Sequence, residues 1–253
     1  MTDPLHYQLD LPENRVTLGF NKLRLVHVFS RATLEDHFSY QQKIISKITT
    51  DGIDIQREID TVDADRDLWS RLILRVENYK SIRLGDLSDL EDWKDRIPVA
   101  HRLAAVRAIY KTEIDFDFEE GEFFDSGLAV ALKDVQNGRQ IKSLVHRFRD
   151  PETSDIKEWS RLSNLSDKRR TRRGQIVSTP RPRLRGEIAL YDKLIVDGLE
   201  GYLNAGQPIA TARDAVAYMD AIHKSHAINE YFRRLDEGAE LPESEEDKAD
   251  PLA

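Results

Sequence analysis

Histidine is the side chain most able to do chemistry here. Four of the seven recur in two pairs, His27 with His146 and His101 with His223, roughly 120 residues apart. Imidazole ligates metals and titrates near neutral pH, so repeated histidines open metal-assisted hydrolysis and proton transfer as chemistries. His223 and His226 lie three apart and can share a helical face, and Glu77 and Glu200 fall at nearly matching places where they could supply carboxylates. Zinc and iron sites want His and carboxylate ligands converging in patterns such as His-Glu-x-x-His or Glu-x-x-His, and neither occurs. The repeated histidines stand beside apolar residues, where a hydrogen-bonded structural role is the expectation. No catalytic, cofactor-binding or metal-ligating residue is assigned, and a metal-dependent helical enzyme ranks third among the functional readings.

Positive charge offers a second chemistry. Lys168, Arg169, Arg170, Arg172, Arg173, Arg181, Arg183 and Arg185 are separated only by Pro, Gly, Thr, Ser, Gln and a few apolar residues. A core cannot hold this composition, so an exposed basic arm or loop is expected. Clustered Arg neutralises phosphates and releases counterions, which makes nucleic acid a partner to consider. No aromatic residues interleave the Arg, and no helix-turn-helix, zinc or RNA-binding signature accompanies them. At the matching place earlier in the chain stand acids instead: Asp54, Glu58, Asp60, Asp63, Asp65 and Asp67. The basic arm could therefore dock on its acidic counterpart, within a chain or between chains, and head-to-tail contact of that kind builds rings or filaments.

A third candidate lies at 113–125, where apolar and acidic residues alternate over Ile114 to Phe118. Such a stretch can form an edge strand with one apolar face, a template for a partner's strand, with Phe116 and Phe118 as contacts. The alternative, favoured for an apolar linker, is that these rings pack at a junction between units. Enzyme signatures are missing: there is no Gly-x-Gly-x-x-Gly, no phosphate-cradling loop ending in Lys-Ser or Lys-Thr, and no Gly-x-Ser-x-Gly. The chain has no Cys, which excludes disulfides, thiolate metal sites and cysteine nucleophiles.

The elements that must position these residues repeat with them. Leu25-Val26-His27-Val28-Phe29 returns as Leu144-Val145-His146-Arg147-Phe148, and Leu68-Trp69 returns as Leu190-Tyr191. Val16 to Phe20 and Leu23 to Phe29 alternate across Asn21-Lys22, and Leu128 to Val135 joins Ile141 to Phe148 through Asn137-Gly138, a strong hairpin signal. Thr33 with Asp36, and Asp155 with Glu158, have the spacing of helix caps. Apolar spacing of three and four predicts further helices over Asp65 to Tyr79, Pro98 to Tyr110, Glu187 to Tyr202 and Thr211 to Arg234. Trp69 and Tyr191 are expected to be core anchors.

The expected fold is α+β, mainly α, an internal duplication of a unit made of a β-hairpin followed by several helices. Its parts are a first repeat unit at 1–112, the acidic Phe junction at 113–125, a second unit at 126–234 and a disordered acidic tail at 235–253, which carries most of the net charge of -8. No stretch approaches the roughly 18 apolar residues of a membrane span, and no signal peptide is visible, so a cytoplasmic protein without a membrane partner is expected. A strand hairpin, a helical body, a charged arm and an acidic tail without a catalytic motif are similar in kind to small assembly or adaptor proteins of phage-like particles. The leading expectation is a non-enzymatic assembly or interaction protein that uses no cofactor and binds itself or a protein partner. The alternative is a nucleic-acid-associated protein using the arm at 168–185.

Overall fold

The computed structural model describes residues 5–20, 23–51, 54–81, 83, 85–117, 128–171 and 176–239. The fold is α+β. After a short β1 (Tyr7–Gln8), the first half runs β2 (Glu13–Phe20), β3 (Leu23–Ser30), α1 (Leu34–Lys43), β4 (Ile45–Asp51), β5 (Asp54–Asp60), α2 (Val62–Leu72) and β6 (Ile73–Glu77). A small hairpin follows, β7 (Lys80–Ser81) and β8 (Gly85–Asp86), then α3 (Trp93–Arg96), α4 (Val99–Ile109) and β9 (Glu113–Ile114). The second half runs β10 (Leu128–Gln136), β11 (Arg139–Phe148), α5 (Thr153–Ser163), β12 (Ser166–Arg170), β13 (Ile176–Pro180) and α6 (Leu184–Leu194). It ends with β14 (Tyr202–Asn204), β15 (Gln207–Pro208), α7 (Ala212–Tyr218) and α8 (Ala221–Ala239).

Local chemistry sets the first hairpin and first helix of each half. Asn137 and Gly138 take φ of 53° and 75°, the pair of positive values that a tight hairpin turn requires and that Asn and Gly tolerate. Thr33 and Asp36 form the expected capping box, each side chain accepting from the other's backbone N–H. At α5 the box is shifted: Glu152 is the N-cap and Asp155 the third helical residue, not Asp155 with Glu158. Asp155 is instead buried and bound by Lys193 and Arg149, at 2.5 and 3.2 Å.

Three expectations about the elements need correction. A second hairpin, β4–β5 or β12–β13, stands between the first two helices of each half, so the unit is not a single hairpin followed by helices. The helices also stop early: α2 gives way to β6 at Ile73 and α6 ends at Leu194, while Met219 and Asp220 separate α7 from α8. Ile73 and Val76 are both buried, but in a strand paired with β3, where spacing of three had read as helix. Finally, α8 continues to Ala239, so the start of the expected tail is helical; residues 240–253 lie outside the described residues.

Each half has its own core. Phe29, Leu68, Trp69, Leu72, Val76 and Val106 gather in the first, and Phe148, Leu190, Tyr191, Leu194, Ile228 and Phe232 in the second. Full burial of each such side chain contributes about 1.5–3 kcal/mol. The halves are also stitched together. β1 pairs in parallel with β14, and Leu9 beyond it enters the second core. β9 pairs with β10, and β13 pairs with β4.

Candidate assembly interface

The four repeated histidines, of which His27, His146 and His223 are buried and His101 is half-buried, belong to two hydrogen-bonded chains of one pattern. In the first half Trp69 Nε1 donates to His27 Nδ1 at 3.0 Å, His27 Nε2 meets the Tyr79 hydroxyl at 2.7 Å, and that hydroxyl meets His101 Nδ1 at 3.2 Å. In the second, the Tyr191 hydroxyl meets His146 Nδ1 at 2.8 Å, His146 Nε2 meets the Tyr202 hydroxyl at 2.8 Å, and that hydroxyl meets His223 Nδ1 at 3.2 Å. His223 Nε2 then reaches Asp134 Oδ2 at 2.8 Å. Burial, aided by the neighbouring His101, pushes His27 down to about 4; burial and His223 hold His146 well below its usual range. A neutral imidazole accepts from one ring atom and donates from the other, so each chain satisfies core polar groups that would otherwise cost free energy. Two stacked ring pairs occupy matching places as well, Tyr40 on Tyr110 and Trp159 on Phe232, each at 4.6 Å.

These histidines do not converge with the acids proposed to join them. Glu77 binds Arg15 and Glu200 binds Arg147, at 2.5 and 2.9 Å. Among the described residues no group of three or more His, Asp or Glu side chains is arranged to hold a metal ion. At the seam between the halves, Asp220 faces Arg31 and His37 at 3.8 and 3.9 Å beside a cavity of about 50 Å³, which has room for water rather than a substrate.

The first part of the basic stretch is strand rather than loop. Lys168, Arg169 and Arg170 lie on β12, which turns back into β13, while Arg172 and Arg173 lie outside the described residues. Backbone pairing suffices for such a strand, because β-branched Ile176, Val177 and Thr179 supply the propensity while charges stay in solvent. The arginines that follow are engaged within the chain. Arg181 donates to Asp167 at 2.9 Å, and Arg183 pairs with the buried Glu187 at 2.6 Å. Arg185 pairs with Glu35 at 2.8 Å across the halves and lies over the Phe38 ring. Phe116 is 73% exposed in the turn after β9, and Phe118 lies outside the described residues.

The strands in order β12-β13-β4-β5 form one four-stranded antiparallel sheet. Within it Ile176 faces Thr50 and Ser178 faces Ile48 in register, so the hairpin of the second half continues that of the first. Neither main core includes a described side chain of this sheet, and Ile59 and Ile176 are about half exposed, at 53% and 49%. Both outer strands lack a partner on one side among the described residues. Strand β12 reads Ser-Asp-Lys-Arg-Arg and β5 reads Asp-Ile-Gln-Arg-Glu-Ile-Asp, so one open edge is basic and the other acidic. Both charge blocks are legible in the sequence, but not that Lys168 to Arg170 and Asp54 to Asp60 form strands. The β-branched residues of β4, β5 and β13 were the available signal.

No protein-family model, no curated protein and no solved structure matches this chain. No helix among the described residues is long and apolar enough to cross a membrane.

Proposed function

We propose that this chain is a non-enzymatic assembly protein, built by duplication of one unit, that associates through its four-stranded sheet. The sheet order β12-β13-β4-β5, with oppositely charged open edges, carries the reading. Exposed sheet edges, with unpaired backbone N–H and C=O groups, are where strands are added. Duplication is supported by the recurring chain of an aromatic residue, His, Tyr and His, whose members lie roughly 120 residues apart in the two halves. Assembly is preferred over phosphate binding because Arg181, Arg183 and Arg185 are already paired with carboxylates of the same chain.

Light scattering of untagged protein during size exclusion, at low and high salt with absorbance at 260 and 280 nm, tests this reading. The expected result is a mass above the 29.2 kDa of one chain that falls towards it as salt rises, with no excess at 260 nm. A monomer at both salts overturns it, and nucleic acid carried through purification would then point to the basic strand as its binding site.

A further inference from the structure

We infer that β12 of one copy pairs edge to edge with β5 of a second copy of this chain, continuing between chains the head-to-tail pairing that β13 makes with β4 inside it. The inference rests on the assembly reading above and names its partner. β4 and β12 each open the hairpin that follows the first helix of their half, and β5 and β13 each close it. A two-fold relation between the hairpins would place like strands together at the centre. The observed order instead sets the closing strand β13 against the opening strand β4.

That contact is heterologous, and it leaves one opening strand, β12, and one closing strand, β5, at the two free edges. A second copy can therefore repeat the contact already present, and repetition ends in a ring if the rotation closes or a filament if it does not. Charge selects this pairing over the alternatives. Net-basic β12 against net-acidic β5 attracts, whereas β12 against β12 or β5 against β5 brings together strands of like net charge, which disfavours the pairing. Lys168 and Arg170 are exposed at that edge.

Reversing one edge at a time tests the geometry. Lys168→Glu with Arg170→Glu makes both edges acidic, and Asp54→Lys with Glu58→Lys makes both basic. Each variant alone is expected to scatter at the monomer mass, with a circular dichroism spectrum like that of the parent. An equal mixture of the two is expected to regain the parent's mass, because every interface then sets a basic edge against an acidic one. If a double change unfolds the chain, Lys168→Glu and Glu58→Lys singly are expected to shift the equilibrium in the same order by a smaller amount. An oligomer that survives both reversals, or folded variants that do not recover on mixing, overturns the edge pairing while leaving assembly through another surface intact.

Discussion

Charging His27 or His146 inside the fold means placing an imidazolium among apolar residues whose hydrogen bonds are already committed to Trp69, Tyr79, Tyr191 and Tyr202. Below its ordinary 6.5 the unfolded chain takes up a proton at position 27, while the native imidazole, held at about 4, does not. The stability due to this depressed value is therefore full above 6.5 and is lost as pH falls from there towards 4. The loss on going from neutral pH to pH 4.5 amounts to roughly 2–3 kcal/mol. Urea unfolding of the parent and of His27→Gln at pH 7.5 and 4.5 checks this. The variant should be less stable at the higher pH and lose less on acidification. Equal losses in the two proteins would show that His27 charges as readily in the native state as in the unfolded one. The recurrence of the histidines was legible in sequence. Their partners were not, since the one tyrosine hydroxyl joining the two histidines of each chain, Tyr79 or Tyr202, is brought between them only by packing.

At the scale of elements, the approach of α5 to α6 depends on Gly186. A Cβ there would lie 2.4 Å from Leu162 Cδ2 and 2.9 Å from Cδ1, inside van der Waals contact. Because Leu162 is itself buried, it must rotate or shift, and Gly186→Ala is expected to cost about 1–3 kcal/mol. Leu162→Ala removes the clashing atoms, so the double variant should lose less than the sum of the single changes in denaturant unfolding. Strict additivity would show that the helices part without strain. The first hairpin of each half was readable from alternation and, in the second, from Asn-Gly, and α1 from its capping box. The second hairpins were hidden. Ile-Ser-Lys-Ile-Thr-Thr has no clean period of two, and a run of Arg reads as solvent-exposed whether it is loop or strand.

For the molecule as a whole, two separate cores do not imply two independent folding units. β1 leaves the first half to pair in the second, β13 pairs with β4, and Arg185 spans to Glu35. Opening one half would strip backbone partners from the other, so a single cooperative transition is expected. In a Trp159→Phe variant the remaining indoles, Trp69 and Trp93, lie in the first half. Their fluorescence should lose structure at the same denaturant concentration as the far-UV circular dichroism of the entire chain. Separated midpoints would mean that the stitching strands carry too little free energy to couple the halves.

The sequence alone determined the repeated composition: which residues recur, which are apolar enough for a core, and where opposite charges are concentrated. Those properties belong to short segments, and period, turn residues and charge report them directly. Tertiary structure decided that the repeated histidines are linked through Tyr79 and Tyr202, that Arg183 and Arg185 are held by carboxylates of the same chain, and that the segments Lys168 to Arg170 and Asp54 to Asp60 form the opposite outer strands of one sheet. Each of these joins residues far apart in the chain, and strand order is set by backbone pairing, for which the side-chain pattern of a single segment carries no address.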